Sequence, residues 1–337
     1  MMNLETTYLG LTLRNPVVAS AGPLSQSVED IKALADGGVG AVVVYSLFEE
    51  QLRREAERLT AVEEAHDDMF GEATSFFPSL PMQEFDPSHR YMELIEGAAK
   101  TAGVPVIASL NGVSVGSWID TAKRLESAGA SAIELNIYFV PGDLQTSGAA
   151  VEERHLEIVG AVKQAVGIPV AVKLSPYFSS VGNMCLRLDE AGADGLVLFN
   201  RFLQPDIDVE RLSVESGVTL SQPSEAKLPR TWIAILRGHV QASLAATTGV
   251  ETAEDVVKYI LAGADVVMTT SSLVRHGAGY AATLVEGLER FLEQRELPLD
   301  KARGMLAMPE DVDAGRYERA GYVTALEKVK STYGDLV

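Results

Sequence analysis

Residues 190–200 read Glu190-Ala191-Gly192-Ala193-Asp194-Gly195-Leu196-Val197-Leu198-Phe199-Asn200, and this stretch decides the fold. Glycine between two alanines suits a helix end, because glycine enters the left-handed conformation and alanine permits a tight turn. A continuous apolar run follows and stops at an amide. The same junction recurs as Ser127-Ala128-Gly129-Ala130 before Ala132-Ile133-Glu134-Leu135-Asn136, and as Leu261-Ala262-Gly263-Ala264 before Asp265-Val266-Val267-Met268-Thr269-Thr270. Five further apolar runs occupy residues 16–20, 41–46, 105–109, 169–173 and 242–247. Continuous apolar strands alternating with amphipathic segments are what a parallel sheet covered on both faces requires. Eight such units favour a closed (β/α)8 barrel over an open doubly wound sheet.

The expectation is therefore a single α/β domain, a (β/α)8 (TIM) barrel over residues 1–300. Residues 301–337 would form a helical C-terminal extension packed on it. Two insertions interrupt the repeat, residues 47–90 after the second strand and 201–230 after the sixth. Long connections after barrel strands lie at the face where barrel enzymes place their sites.

Composition narrows the partners. With 28 Lys plus Arg against 47 Asp plus Glu, the net charge of −19 disfavours nucleic acid and anionic membrane surfaces. No apolar run is long enough to span a bilayer, and the opening MMNLETTYLG lacks the regions of a signal peptide. A cytoplasmic protein is the expectation. Cys185, the single cysteine, excludes an internal disulfide and an all-cysteine iron–sulfur cluster on this chain, and it reads as a packing thiol. The five histidines show no metal-ligand spacing.

Polar residues at the strand ends would converge on one rim: Ser20, Tyr45 with Ser46, Asn111, Asn136, Lys173, Asn200, Thr247 with Thr248, and Thr270 with Ser271. Amides, hydroxyls and one lysine suit a small polar anion. Lys173 closes an otherwise apolar strand, where burying an ammonium is costly unless a partner stabilises it. It reads as a snorkelling structural lysine, a cation facing an anionic cofactor, or a Schiff-base amine. Thr248-Gly249 and Thr270-Ser271 follow the last two strands, where barrels commonly hold phosphate; plain helix capping is the bland alternative. Asn136 and Asn200 are buried structural amides or, as a pair, ligand donors. Gly112-Val113-Ser114-Val115-Gly116 matches a nucleophile elbow out of its fold context and reads as a rim loop. Gly277-Ala278-Gly279 lacks the second βαβ half of a dinucleotide site.

Taken in order and spacing from Leu4 to Leu297, these motifs resemble the dihydroorotate dehydrogenase family of FMN-dependent barrels. The carriers are residues 15–22 (NPVVASAG), Glu134-Leu135-Asn136-Ile137, Val172-Lys173-Leu174-Ser175-Pro176, Phe199-Asn200-Arg201, Thr248-Gly249-Val250-Glu251-Thr252 and Ala262-Gly263-Ala264-Asp265. The resemblance implies FMN held by Ser20, Ala21, Tyr45, Ser46, Asn136, Lys173 and Asn200, with Lys173 at the flavin pyrimidine edge. Thr248, Gly249, Thr270 and Ser271 would hold its phosphate. Asn111, Asn136 and Asn200 would face the substrate; Arg201 joins them only by its adjacency to Asn200, as a cation for a substrate carboxylate.

The departures from the family pattern concern the substrate side. Phe139 stands where the family carries its catalytic Cys or Ser. Val140-Pro141 replaces Pro-Asn, Tyr45 replaces a lysine, and no asparagine occurs in residues 47–110. Thr248 and Thr270 stand in place of glycines. The resemblance thus implies a flavin-dependent oxidoreductase acting on CH–CH groups, a dihydroorotate dehydrogenase-like paralogue whose substrate is not necessarily dihydroorotate. Its link to pyrimidine metabolism is correspondingly open. Two rivals stand beside it: a flavin-binding subunit or electron relay without catalysis, and a non-flavin phosphate-binding barrel enzyme using Lys173. Partners would be a small anionic substrate and either a second copy of the chain or an electron-transfer protein.

Overall fold

The computed structural model describes residues 2–49, 87–112, 115–137, 144–201, 205–215, 217, 219–309 and 311–333. Tyr138, Phe139, Val140 and Pro141 lie outside the described residues, as do most of the first insertion and the centre of the Gly-x-Ser-x-Gly match.

Eight parallel strands close into a barrel: β3 (Val17–Ala19), β4 (Ala41–Phe48), β5 (Val106–Asn111), β6 (Ala132–Asn136), β7 (Val170–Leu174), β8 (Gly195–Leu198), β11 (Ser243–Ala246) and β12 (Val266–Thr269), with β12 returning to pair with β3. All eight apolar runs are strands, and the (β/α)8 barrel expected from the sequence is the architecture observed. The period of two sorts each strand. Val170, Val172 and Leu174 of β7 face the helices, while Ala171 and Lys173 face the barrel interior. Eight helices alternate with or cover the strands: α1 (Val28–Asp36), α2 (Pro87–Thr101), α3 (Val115–Ser127), α4 (Gly148–Ala165), α5 (Val181–Glu190), α6 (Lys227–Leu236), α7 (Ala253–Ala262) and, after the short α8 (Ser271–His276), α9 (Tyr280–Glu293).

The repeated junction has a second function beyond turning the chain. The polar residue after Ala-Gly-Ala caps the strand before it. Ser131 Oγ accepts from Val106 N, Asp194 Oδ2 from Val170 N, and Asp265 Oδ2 from Leu244 N. Each latch satisfies a strand-end donor at the lower rim.

A hairpin of β1 (Thr6–Tyr8) and β2 (Leu11–Leu13) closes the bottom of the barrel. Its two-residue turn places Leu9 and Gly10 at φ 55° and 73°, as a type I′ turn requires. Tyr8, Leu9 and Leu13 fill the space left by Ala41, Ala132, Ala171 and Ala245. Gly195 leaves room for that plug, because a Cβ would lie 2.5 Å from Leu9 Cδ2 and the leucine would have to shift.

The second insertion carries a separate antiparallel ribbon, β9 (Asp206–Asp208) with β10 (Ser213–Glu215), whose Ile207, Leu212 and Val214 are exposed. After α10 (Leu299–Ala302) the chain packs on α6 and α7, where Gly304 N, Leu306 N and Met308 N donate to Ile260, Leu261 and Ala234 carbonyls. The last helix, α11 (Ala314–Tyr333), exposes Tyr322, Val323 and Leu326. Among the described residues no helix is long and apolar enough to cross a membrane.

Candidate functional site

The cavity at the C-terminal mouth, about 500 Å3 counting the space open to solvent, runs from Lys173 to the loops after β11 and β12. Lys173 reaches it because Ala171 and Lys173 share the inner face of β7. Its side chain is buried, with Nζ 3.3 Å from Ser20 Oγ and 3.4 Å from Glu134 Oε1. Glu134, on the neighbouring strand β6, is fully buried, and its Oε2 has no hydrogen-bond partner among the described residues. Glu134 was not among the expected site residues, although the same signal, a charge inside an apolar strand, marks it and Lys173 alike.

Beside the lysine an amide and hydroxyl chain crosses three strands and the end of a fourth. Asn200 Nδ2 donates to Asn136 Oδ1 at 2.7 Å, Asn136 Nδ2 to Ser46 Oγ at 3.3 Å, and Ser46 Oγ lies 2.8 Å from Ser109 Oγ. Asn136 and Asn200 are thus brought together, with Ser46. Tyr45 is not. The β4–β5 register shifts between Val43 and Ser46, and such a bulge re-aims the residues after it. Tyr45 packs edge-on against Tyr91 of α2 at 5.1 Å. Burial pushes its phenol pKa up, so even less of it is phenolate near neutral pH than of a free tyrosine. Asn111 is buried at the end of β5, in register with Phe48.

The opposite end of the cavity is built from hydroxyls. Thr248 and Gly249 both have positive φ, 80° and 71°. Thr248 therefore keeps a backbone shape that suits glycine, and its Oγ1 donates to Phe199 O. Thr270 Oγ1 donates to Ser20 O at 2.7 Å, joining the first and last barrel strands. Ser221, from the second insertion, was not foreseen. Its Oγ accepts from Gly249 N at 3.2 Å and donates to Ser271 Oγ at 3.0 Å. Arg275 fixes that insertion through Ser221 O and pairs with Glu251, which also holds His276. Arg201 lines the cavity, with Nε on Glu225 Oε1 at 3.1 Å. Ala21 lines it too.

Cys185 is buried on α5 with its thiol pKa pushed up to about 12 by desolvation. No cluster of His, Cys, Asp or Glu suited to a metal ion occurs among the described residues.

A family model for dihydroorotate dehydrogenase matches residues 3–292, nearly the whole barrel. The chain belongs to the dihydroorotate dehydrogenase family. It is 29% identical to a putative dihydroorotate dehydrogenase A (fumarate) of Aeropyrum pernix, over 86% of this chain and 92% of that one. It is 28% identical to the catalytic subunit of dihydroorotate dehydrogenase B (NAD(+)) of Methanocella arvoryzae, over 90% and 98%. The corresponding subunit of Methanothermobacter thermautotrophicus is 27% identical, over 86% and 93%. Membership in the dihydroorotate dehydrogenase family makes this barrel a dihydroorotate dehydrogenase-like oxidoreductase. The matched region contains every strand-end residue discussed above and stops before α10 and α11.

Proposed function

We propose that the protein is an FMN-dependent oxidoreductase whose small anionic substrate is not turned over by the family's Cys or Ser base. The observation that carries the flavin reading is one cavity with a buried lysine at one end and hydroxyl-lined loops at the other. The residues present fit FMN. Lys173 supplies a cation for the pyrimidine edge, and Asn200, on the same cavity wall and bonded to Asn136, an uncharged partner beside it; the Ser271 hydroxyl, with Ser221, Thr270 and Gly249 N once they exchange their internal hydrogen bonds, would donate to the phosphate. Bound FMN would supply hydride chemistry, while the chain supplies orientation and charge. Lys173 would stabilise negative charge gained on reduction.

The substrate reading rests on Phe139, which has no proton to exchange. Tyr45 does not take over, given its raised pKa and its packing against Tyr91. Without a general base, a factor of about 10²–10⁴ in rate is forfeited. Arg201 offers a cation to a substrate carboxylate, provided that the carboxylate displaces Glu225.

The flavin reading is tested by denaturing FMN-reconstituted protein and identifying the released chromophore by mass. FAD, or no retained flavin, would overturn it. The substrate reading is tested by mixing FMN-loaded protein with dihydroorotate without oxygen and following flavin bleaching. Slow bleaching that Phe139→Cys accelerates is the expected result; wild-type bleaching at about 1–10³ s⁻¹ would refute it. The same Phe139 also supports a second reading, a flavin-binding subunit without catalysis of its own. Bleaching by no donor, in wild type or variant, would favour that.

A further inference from the structure

Glu134 takes no part in the chemistry proposed above, yet it lies in the barrel interior one layer beneath the mouth. Ala132, Glu134 and Asn136 share the inner face of β6, and Glu134 is fully buried. Its surroundings on that face include the apolar Ala132, Ala171 and Val197. One carboxylate oxygen meets the Lys173 ammonium at the long distance of 3.4 Å, and the other meets no hydrogen-bond donor among the described residues. A buried ion pair with an unsatisfied oxygen is a poor stabiliser, since desolvation offsets most of the attraction and apolar replacements often do as well. Register gives it no task either, because main-chain hydrogen bonds and the junction latches already fix β6 against β5 and β7.

The pair does have an electrostatic effect at the mouth. Lys173 has three N–H donors. Ser20 Oγ and Glu134 Oε1 account for two, leaving one for a ligand in the cavity that Lys173 lines. A lone ammonium would strongly favour a ligand that gains negative charge. A carboxylate directly behind it offsets much of that preference, and the low-dielectric interior transmits both charges. We infer that Glu134 is a positioning residue that holds the Lys173 ammonium at the mouth and offsets its charge, so setting the protein's relative affinity for reduced and oxidised flavin. This inference rests on the FMN reading.

The experiment measures the midpoint potential of bound FMN by equilibration with reference dyes, in wild type, Glu134→Gln and Glu134→Asp. Glu134→Gln keeps the shape and removes the charge. It should favour reduced over oxidised FMN by about tenfold or more, which raises a two-electron potential by about 30 mV or more. Glu134→Asp keeps the charge and should stay within about threefold of wild type. A Glu134→Gln potential within twofold of wild type would overturn the inference, as would a fall, or equal shifts in both variants. Should Glu134→Gln not fold, Lys173→Met/Glu134→Gln holds no charge from this pair. Its potential must exceed that of Lys173→Met alone, and equality would overturn the inference. Failure of wild type to bind FMN would overturn the flavin reading and this inference together. Retained FMN with unmoved potentials overturns only the inference.

Discussion

Lys173 and Phe139 pull the reading in different directions, and each is a matter of one side chain. The lysine could be identified from sequence because a terminal cation on an apolar strand must repay its burial. Glu134 carries the same signal but sits mid-strand, inside the Glu134-Leu135-Asn136 motif, where nothing local separates it from the motif's other residues. Ser221 had no such mark; its role exists only because the second insertion folds back onto Gly249 and Ser271. Removing Lys173 tests the flavin reading at this scale. Lys173→Met should weaken FMN binding, lower its reduction potential, or both. A buried charge-assisted hydrogen bond is worth about 1.5–3 kcal/mol, or roughly 10- to 150-fold in affinity. The measurement is a flavin titration with a potential on the same sample. Because the substitution also strands Glu134, Lys173→Met/Glu134→Gln is the fair comparison for stability.

Elements were easier to read than their edges. All eight barrel strands follow from apolar runs between helix-ending glycines, since both signals are local. The β4 bulge was not legible, because a one-residue slip in pairing leaves no trace in composition. It moves Tyr45 from the expected rim to the face packed on α2 and puts Ser46 inside. A second constraint lies between the segment after β3 and that after β12. Gly22 has an extended backbone that any residue can adopt, yet a Cβ there would lie 2.4 Å from Thr270 Cγ2. Gly22→Ala should therefore cost about 1–3 kcal/mol, and adding Thr270→Ser should restore over half of it, read as a double-mutant cycle in denaturant. Helix α4 contributes a pH effect. His155 is buried with Nδ1 2.7 Å from Val151 O, and burial holds its pKa below the ordinary 6.5. The neutral ring is therefore favoured in the folded state. Its contribution is complete above pH 6.5 and is lost as pH falls through the depressed folded value. Thermal melts across that range should show an acid loss in wild type that His155→Gln reduces.

At the scale of the whole molecule, barrel closure and charge were legible, whereas the β1–β2 plug was not. Three-residue strands carry too little periodicity to register against noise, and the plug is defined by what it fills. The tail shows the same difficulty. Its helical period is readable, but what it touches is not. Up to Met308 the chain is tied to α6 and α7, and beyond it the described side chains of α11 are mostly exposed. Truncation after Pro309 should shift the melting temperature by less than about 2 °C, the equivalent of roughly 1 kcal/mol or less in a chain of this size. A larger drop would mean that α11 is held against the rest of the protein.

The pairing of Val17 with Val267 joins residues 250 positions apart. A ribosome adding about 5–20 residues each second needs about 12–50 s to supply the second partner once the first has been made. Throughout that interval one edge of β3 is bare, and Tyr8, Leu9 and Leu13 have no finished barrel to enter. A nascent chain in this condition offers both an open strand edge and an apolar hairpin to its neighbours on a polysome. Yield in a cell should then depend on translation speed and on holding chaperones more than on the stability of the finished barrel.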